Sequence, residues 1–241
     1  MSDIAVVPGA SGGIGAQIAK TIHAKSEGQL KVCIHYNGNE TSAKAVSVEI
    51  PGSFIVKADL STESGRKALM DAVLAHGSPY VLVNNAGIDK PHEPALMVSE
   101  ASYDKIMDTN LRAPLFLMRD FAKEMARNEA GVIVNVSSVL ARKAVVGSAV
   151  YRASKAALEA LALQFASELG PKGVRVVAVA PGFIETAMTS GIPEEQRARI
   201  KKDVSLGTFG SPEAVAETVW HAIENQYMTG CVLPVDGGMA L

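Results

Sequence analysis

Tyr151 and Lys155 stand four positions apart in YRASK, within an otherwise apolar run. On a helix that spacing puts a phenol and an ammonium on one face. Two surface residues at a chance spacing would look the same. The chemical alternative is that the ammonium tunes the phenol for proton transfer. A phenol with its ordinary pKa of about 10 is a poor base at neutral pH. An ammonium about 4 Å away, at an effective dielectric of about 20, favours the phenolate by about 4 kcal/mol. That is roughly a thousandfold in the ionisation equilibrium and brings the pKa toward about 7, where proton exchange works best. Burial of the ring opposes part of the effect.

Two further polar residues can join this pair. Ser138 closes VNVSS, thirteen residues before Tyr151, where a strand is expected to end. It could align a substrate oxygen, or simply serve as a turn residue. Asn110 interrupts the helical pattern of MDTNLRAP. Asparagine is a modest helix former, so its side chain has a task there or the helix kinks.

The elements that must position these residues follow from the pattern of apolar runs. Strands are expected at Ile4–Val7, Leu30–Tyr36, Ser53–Ala58, Tyr80–Val83, Val132–Ser137, Val174–Ala180 and Val232–Val235. Amphipathic stretches such as Ile14–Ala24, Thr41–Glu49 and Glu63–Ala75 lie between them. VLVNNAG and GVIVNVSS are continuously apolar until they end, as strands buried on both faces are. The alternation predicts an α/β fold, a doubly wound, seven-stranded and mainly parallel sheet flanked by helices. One domain over residues 1–241 is expected, since 241 residues with 48% hydrophobic content suit a single core. In such a sheet, ligands bind beyond the carboxyl ends of the strands.

The first strand runs into PGASGGIG, where Gly9, Gly13 and Gly15 have the spacing GxxxGxG and a helix begins near Ile14. Glycines allow a tight turn and close approach of a pyrophosphate, and a helix N-terminus offers free N–H groups and partial positive charge. Gly9, Ser11, Gly12, Gly13, Ile14 and Gly15 are therefore candidate dinucleotide contacts, although a glycine-rich turn alone needs no ligand. An acid after the second strand would hold the ribose hydroxyls of NAD and repel a 2′-phosphate. Tyr36 and Asn37 stand there instead, both uncharged. NADP(H) is thus favoured over NAD(H), although no arginine attracts the phosphate. Lys44 is a candidate cation, or an ordinary solvated helix lysine. In ADL, Asp59 could accept from the adenine amino group and Leu60 cover the ring; alternatively Asp59 or Ser61 caps the next helix. Asn85, Ala86 and Gly87 of NNAG are small enough to let a cofactor pass, with the asparagines tying strands together.

Other functions find little support. The formal net charge is −2, and no basic run suggests nucleic acid. The N-terminus has no positively charged leader and no stretch that would span a bilayer, so a cytoplasmic location is expected. Cys33 and Cys231 are expected to be free thiols, and the five histidines are spaced for no metal.

Taken together, GxxxGxG at 9–15, NNAG at 84–87, Asn110, Ser138, YxxxK at 151–155, PGFIET at 181–186 and VDGG at 235–238 resemble the short-chain dehydrogenase/reductase family. The motifs run the length of the chain in family order. The resemblance implies an NAD(P)-dependent oxidoreductase with Asn110, Ser138, Tyr151 and Lys155 as a catalytic tetrad. Tyr151 would exchange the proton and Ser138 hold the substrate oxygen. Lys155 would donate to the nicotinamide ribose, and Asn110 would hold a water in a proton path. Pro181, Gly182, Ile184 and Thr186 would line the nicotinamide.

Within the family, APGFIETAMT and VDGGM are similar to the 3-oxoacyl-[acyl-carrier-protein] reductases. That implies reduction of a 3-oxoacyl thioester, with an acyl carrier protein as partner. Arg127, Arg142, Lys143 and Lys172 are candidate contacts for the acidic carrier, or ordinary solvated charges. A dehydrogenase of a sugar, polyol or steroid, or a non-catalytic NADP-binding scaffold, are the alternatives. The segment at 185–205 reads as a substrate lid. The apolar breadth of YRASKAALEALALQFASEL, and the Ser99–Arg127 region, suggest packing against other subunits; the family resemblance implies a homotetramer. One departure stands out. Pro8 replaces the usual threonine and has no hydroxyl or N–H, so a hydrogen bond from the loop toward NNAG is expected to be missing.

Overall fold

The computed structural model describes residues 2–89 and 91–240. Seven strands form one sheet: β1 (Asp3–Val7), β2 (Lys31–Tyr36), β3 (Phe54–Lys57), β4 (Ser78–Asn84), β5 (Gly131–Val136), β6 (Val174–Pro181) and β7 (Val232–Val235). Their order is β3-β2-β1-β4-β5-β6-β7, and every neighbouring pair is parallel. The helices are α1 (Gly13–Lys25), α2 (Glu40–Val48), α3 (Glu63–His76), α4 (Glu100–Met107), α5 (Ala113–Arg127), α6 (Ala149–Leu169), α7 (Ala187–Ser190), α8 (Glu194–Lys202) and α9 (Pro212–Glu224).

Successive strand side chains point to opposite faces, which divides the core in two. Val7, Ile34, Val83, Val134 and Val179 pack with residues of α1, α2 and α9 on one face. Val6, Cys33, Leu82, Ile133 and Ala178 pack with residues of α3, α5 and α6 on the other. All six residues of β5 are buried, which is why GVIVNV is apolar without alternation. The order of strands reverses between β1 and β4, so their carboxyl ends diverge and leave a crevice there.

Three local features differ from, or sharpen, the expectations. The long helical pattern around Asn110 is not one helix. A π-helical turn, Asp108–Arg112, separates α4 from α5, and it carries Asn110 at its centre, fully buried. The cap of α3 is neither Asp59 nor Ser61 but Thr62, whose hydroxyl accepts from Gly65 N at 3.0 Å. Asp59 instead closes a turn, its Oδ1 accepting from Ser61 N at 3.0 Å and Ser61 Oγ at 2.7 Å. Among the described residues, no helix is long and apolar enough to cross a membrane.

The cap assignment gives a direct test. Thr62→Ala should lower stability by about 1 kcal/mol in denaturant unfolding, while Ser61→Ala changes it by less than about half that.

Candidate functional site

The expected site residues lie at the carboxyl edge of the sheet. The turn after β1 reverses direction at Gly9, whose φ is +74°, and again at Gly13, at +55°. A Cβ on Gly15 would collide with the Gly9 carbonyl and the Asn85 amide, so loop and helix meet without side-chain space between them. Gly12, by contrast, has open space beyond it. As expected, Pro8 donates no hydrogen bond toward NNAG. Asn85 makes the tie from the other side, donating Nδ2 to Pro8 O at 3.1 Å and Gly9 O at 3.3 Å. A carbonyl needs no hydroxyl, so proline at position 8 costs no connection. Asn84 ties β4 to β5 by donating to Asn135 Oδ1 at 2.9 Å.

The loop also fits the anion that its glycines suggested. Helices α2, α3, α4 and α9 are each capped by a side chain, from Asn39, Thr62, Ser99 and Ser211. Helix α1 starts at Gly12 with no such cap, leaving its first N–H groups open to a ligand. Thr186 reaches over the loop, its methyl 3.6 Å from where a Gly13 Cβ would lie. Ile184 is buried and bridged to Gly210, and Gly182 N donates to Val235 O at 2.9 Å, with Pro181 ending β6. On the far side, Tyr36 is buried at the end of β2 and Asn37 is exposed. Lys44 is not a free cation: it pairs with Glu40 at 2.6 Å. Asp59 is exposed after β3, while Leu60 is buried in the core beneath it, not presented as a cover.

Asn110, Ser138, Tyr151 and Lys155 come together at the ends of β4 and β5. Lys155 projects from α6 and is only 4% exposed, donating Nζ to Val136 O at 2.8 Å. A Cβ on Gly87 would stand 3.2 Å from Asn110 Oδ1, a tight approach, and in ordinary contact with this Nζ at 3.5 Å. Asn110 accepts from Ile88 N at 2.8 Å and donates to Ile88 O at 2.8 Å and Ser154 Oγ at 3.3 Å. Its amide thus clamps the chain leaving β4 to α6; no free end is left solely for a water. Ser138 is buried at the tip of β5, with its hydroxyl accepting from Leu140 N at 3.1 Å.

Among the described residues, Lys155 makes no hydrogen bond to the Tyr151 hydroxyl, the contact expected to favour its ionisation. Lys155 Nζ lies 5.8 Å from the ring centroid, bound to a carbonyl rather than aimed at the hydroxyl. Burial pushes Tyr151 up to about 12, against a partial opposing pull from the Ser138 hydroxyl; the Asp89 carboxylate adds to the rise. Burial also lowers Lys155 to about 8. Desolvation is the leading influence on both groups, and it favours the neutral phenol.

Beside Tyr151 and Ser138 opens a cavity of about 300 Å³. Leu140, Val145, Val146, Phe183, Met188 and Ile192 supply its apolar wall. Asp89, His92 and Gln196 also line it, with His92 Nε2 3.4 Å from Asp89 Oδ2. Residues 187–202 cover one side as α7 and α8, with Arg197 bonded to Glu185 and stacked on Phe209 at 4.4 Å. Sequence reasoning missed the Asp89–His92 pair and most of this wall. Their only sequence signal is position after NNAG and between Ser138 and Tyr151.

A doubly wound parallel sheet, with an uncapped glycine-rich helix start at its switch point and, beside it, a half-buried tyrosine between a buried serine and a buried lysine, defines a dinucleotide-type oxidoreductase. Residues 9–240 match the family described as Enoyl-(Acyl carrier protein) reductase. The chain is 35% identical over 246 residues to the 3-oxoacyl-[acyl-carrier-protein] reductase FabG of Staphylococcus aureus (strain N315), covering 99% of this chain and 98% of that protein. It is 36% identical over 244 residues to FabG of Aquifex aeolicus (strain VF5), covering 98% and 96%. A solved short-chain dehydrogenase/reductase of Serratia marcescens, a double Phe-to-Tyr mutant, superposes with a TM-score of 0.92 at 30% identity, over 100% of this chain and 99% of that one. The chain belongs to the short-chain dehydrogenase/reductase family, which implies a nicotinamide cofactor.

The buried ammonium has a measurable cost. Lowering Lys155 from 10.5 to about 8 destabilises the folded state by about 3 kcal/mol at pH 7. Below about 8 both folded and unfolded chains hold the proton and the cost is complete; it fades as pH rises toward 10.5. Lys155→Met should therefore unfold at higher denaturant than the parent at pH 7, by about 1–3 kcal/mol once the lost bond to Val136 is allowed for. The advantage should shrink toward pH 10.

Proposed function

We propose that the protein reduces a 3-oxoacyl thioester, carried on an acyl carrier protein, to the 3-hydroxyacyl form with NADPH. The observation that carries this reading is the neutral phenol of Tyr151 beside Ser138 at the floor of a largely apolar cavity. The full-length similarity to FabG proteins supports the thioester.

A bound nicotinamide supplies the hydride. Ser138 hydrogen-bonds the keto oxygen and sets it against Tyr151. As the oxygen gains negative charge, the phenol gives it a proton, completing the hydroxyl. Lys155, an acid at about 8 near a phenol at about 12, is the stronger acid and can restore that proton. Asn110 acts as a positioning residue, holding Ile88 and Gly87 against the ammonium. Leu140, Val145 and Met188 receive the acyl chain and shield the reacting oxygen from water.

NADPH is favoured over NADH because no unpaired acid follows β2: Glu40, bonded to Tyr36, is offset by Lys44. Carrier docking falls to Arg142 and Lys143, which follow β5 on the cavity side and are paired with Glu159 and Asp203. Arg127 and Lys172 precede β5 and β6, so they lie at the opposite, amino edge of the sheet and drop out as carrier contacts. We assign residues 185–205 as the lid. A homotetramer is consistent with Leu163 of α6 and Tyr103 of α4, which lie 48% and 47% exposed on helix faces. A second reading, reduction of a polar hydroxylated ketone, is favoured by Asp89, His92 and Gln196 in the same cavity.

Purified protein should oxidise NADPH faster than NADH with an acetoacetyl thioester, followed at 340 nm. Turnover confined to sugar or polyol ketones would favour the second reading. Tyr151→Phe should lower kcat by about 10²–10⁴-fold and leave dinucleotide affinity unchanged; retained turnover would remove Tyr151 as the proton donor. The rate of reduction should fall as pH rises through about 8, where Lys155 loses its proton, and this dependence should vanish in Lys155→Met.

A further inference from the structure

His35 lies one residue before the end of β2 and is 3% exposed. No motif includes it. Both ring nitrogens are nonetheless engaged, and with different partners. Nδ1 lies 3.1 Å from Gly9 N, a backbone donor. Nε2 lies 2.9 Å from Ala58 O, a carbonyl that can only accept. The two contacts together admit one form of the ring: neutral, with the hydrogen on Nε2 and a lone pair on Nδ1. The backbone of the same residue takes part as well, since Ala10 N donates to His35 O at 3.0 Å. One residue thus joins the exits of β1, β2 and β3.

Gly9 is a tight point of the glycine loop. Its φ is +74°, and a Cβ there would meet Ala86 Cα at 3.0 Å. The direction of its N–H is therefore set within a backbone that has no slack. We propose that His35 is a positioning residue for the cofactor, its neutral ring fixing the Gly9 N–H and so the shape of the phosphate loop, and that protonating this ring weakens dinucleotide binding. The proposal rests on the reading that the glycine loop holds the dinucleotide.

Protonation would put an N–H on Nδ1, facing the N–H of Gly9, so two donors would oppose each other. The ring can charge only if the loop moves. Burial already holds His35 below the usual imidazole range, while the Ala58 carbonyl and the Asp59 carboxylate resist that shift. Asp59, at the exit of β3, is the acid that faces it. The glycine loop carries no titratable side chain. On the α3 side, Arg66 directs its guanidinium to Leu60 O and Ser61 O.

Two substitutions separate the contacts. The side-chain oxygen of His35→Asn can occupy the Nδ1 position and accept from Gly9; His35→Gln can reach only the Nε2 position. NADPH affinity is read by fluorescence titration from pH 5 to 8, and the tautomer of the unliganded protein by ¹⁵N NMR. The parent should show an Nε2–H ring at pH 7 and lose affinity as pH falls toward 5. His35→Asn should bind within about threefold of the parent at pH 7 with a flat profile. His35→Gln should bind about tenfold more weakly, the equivalent of one buried hydrogen bond. Equal affinities for both variants, a parent profile shared by His35→Asn, or an Nδ1–H ring would each overturn the proposal. If either variant fails to fold, the parent's tautomer and pH profile still decide it. Failure of the parent to bind any dinucleotide would instead overturn the reading of the loop.

Discussion

A lysine ammonium buried among strand ends is the constraint around which this molecule is arranged. Lys155 finds one carbonyl, Val136 O, at 2.8 Å, and glycine at position 87 keeps the space before it open. A cation in such a place is held at a cost, and the surroundings reduce that cost only in part. The residues that gather there have few alternatives. A Cβ at Gly87 would crowd the Asn110 amide oxygen that borders the ammonium. Asn110 must be buried to clamp Ile88, and it reaches that point because the helix opens into a π turn. The irregular helix and the buried cation are two parts of one device.

The glycine loop follows the same logic of close approach at the other half of the crevice. Gly15 sits against Gly9 O, and Asn85 reaches both Pro8 O and Gly9 O. The segment after β4 therefore faces two ways. Asn85 holds the phosphate loop, and Gly87, two residues on, borders the ammonium. Parallel pairing of β1 with β4 and of β4 with β5 is what allows a four-residue stretch to serve both. Fold and site share this strand end, so neither can be altered there without the other.

Much of this was readable in the chain. Apolar runs such as GVIVNV marked the buried strands, the glycines, NNAG and Ser138 marked the strand exits, and YxxxK marked the helix face beside them, because each follows directly from local spacing. What failed depended on distant contacts or on competing energies. The upward shift of Tyr151 comes first from burial, which spacing along a helix does not express. Thr62 rather than Asp59 or Ser61 caps α3, a choice among adjacent polar residues decided by backbone geometry. The missing donor at Pro8 was foreseen, but not that Asn85, 77 positions away, donates in its place. His35 carried no signal, since its partners Gly9 and Ala58 lie 26 and 23 positions from it.

The central claim is that burial, not a close ion pair, sets the protonation of the Tyr151–Lys155 pair. The direct measurement is a ¹³C NMR titration of the free protein, with Lys155 followed at Cε and Tyr151 at Cζ. The account predicts that Lys155 titrates near 8 and that Tyr151 stays protonated until about 12. A Tyr151 resonance that ionises near neutrality, with Lys155 still charged well above 10, would contradict it.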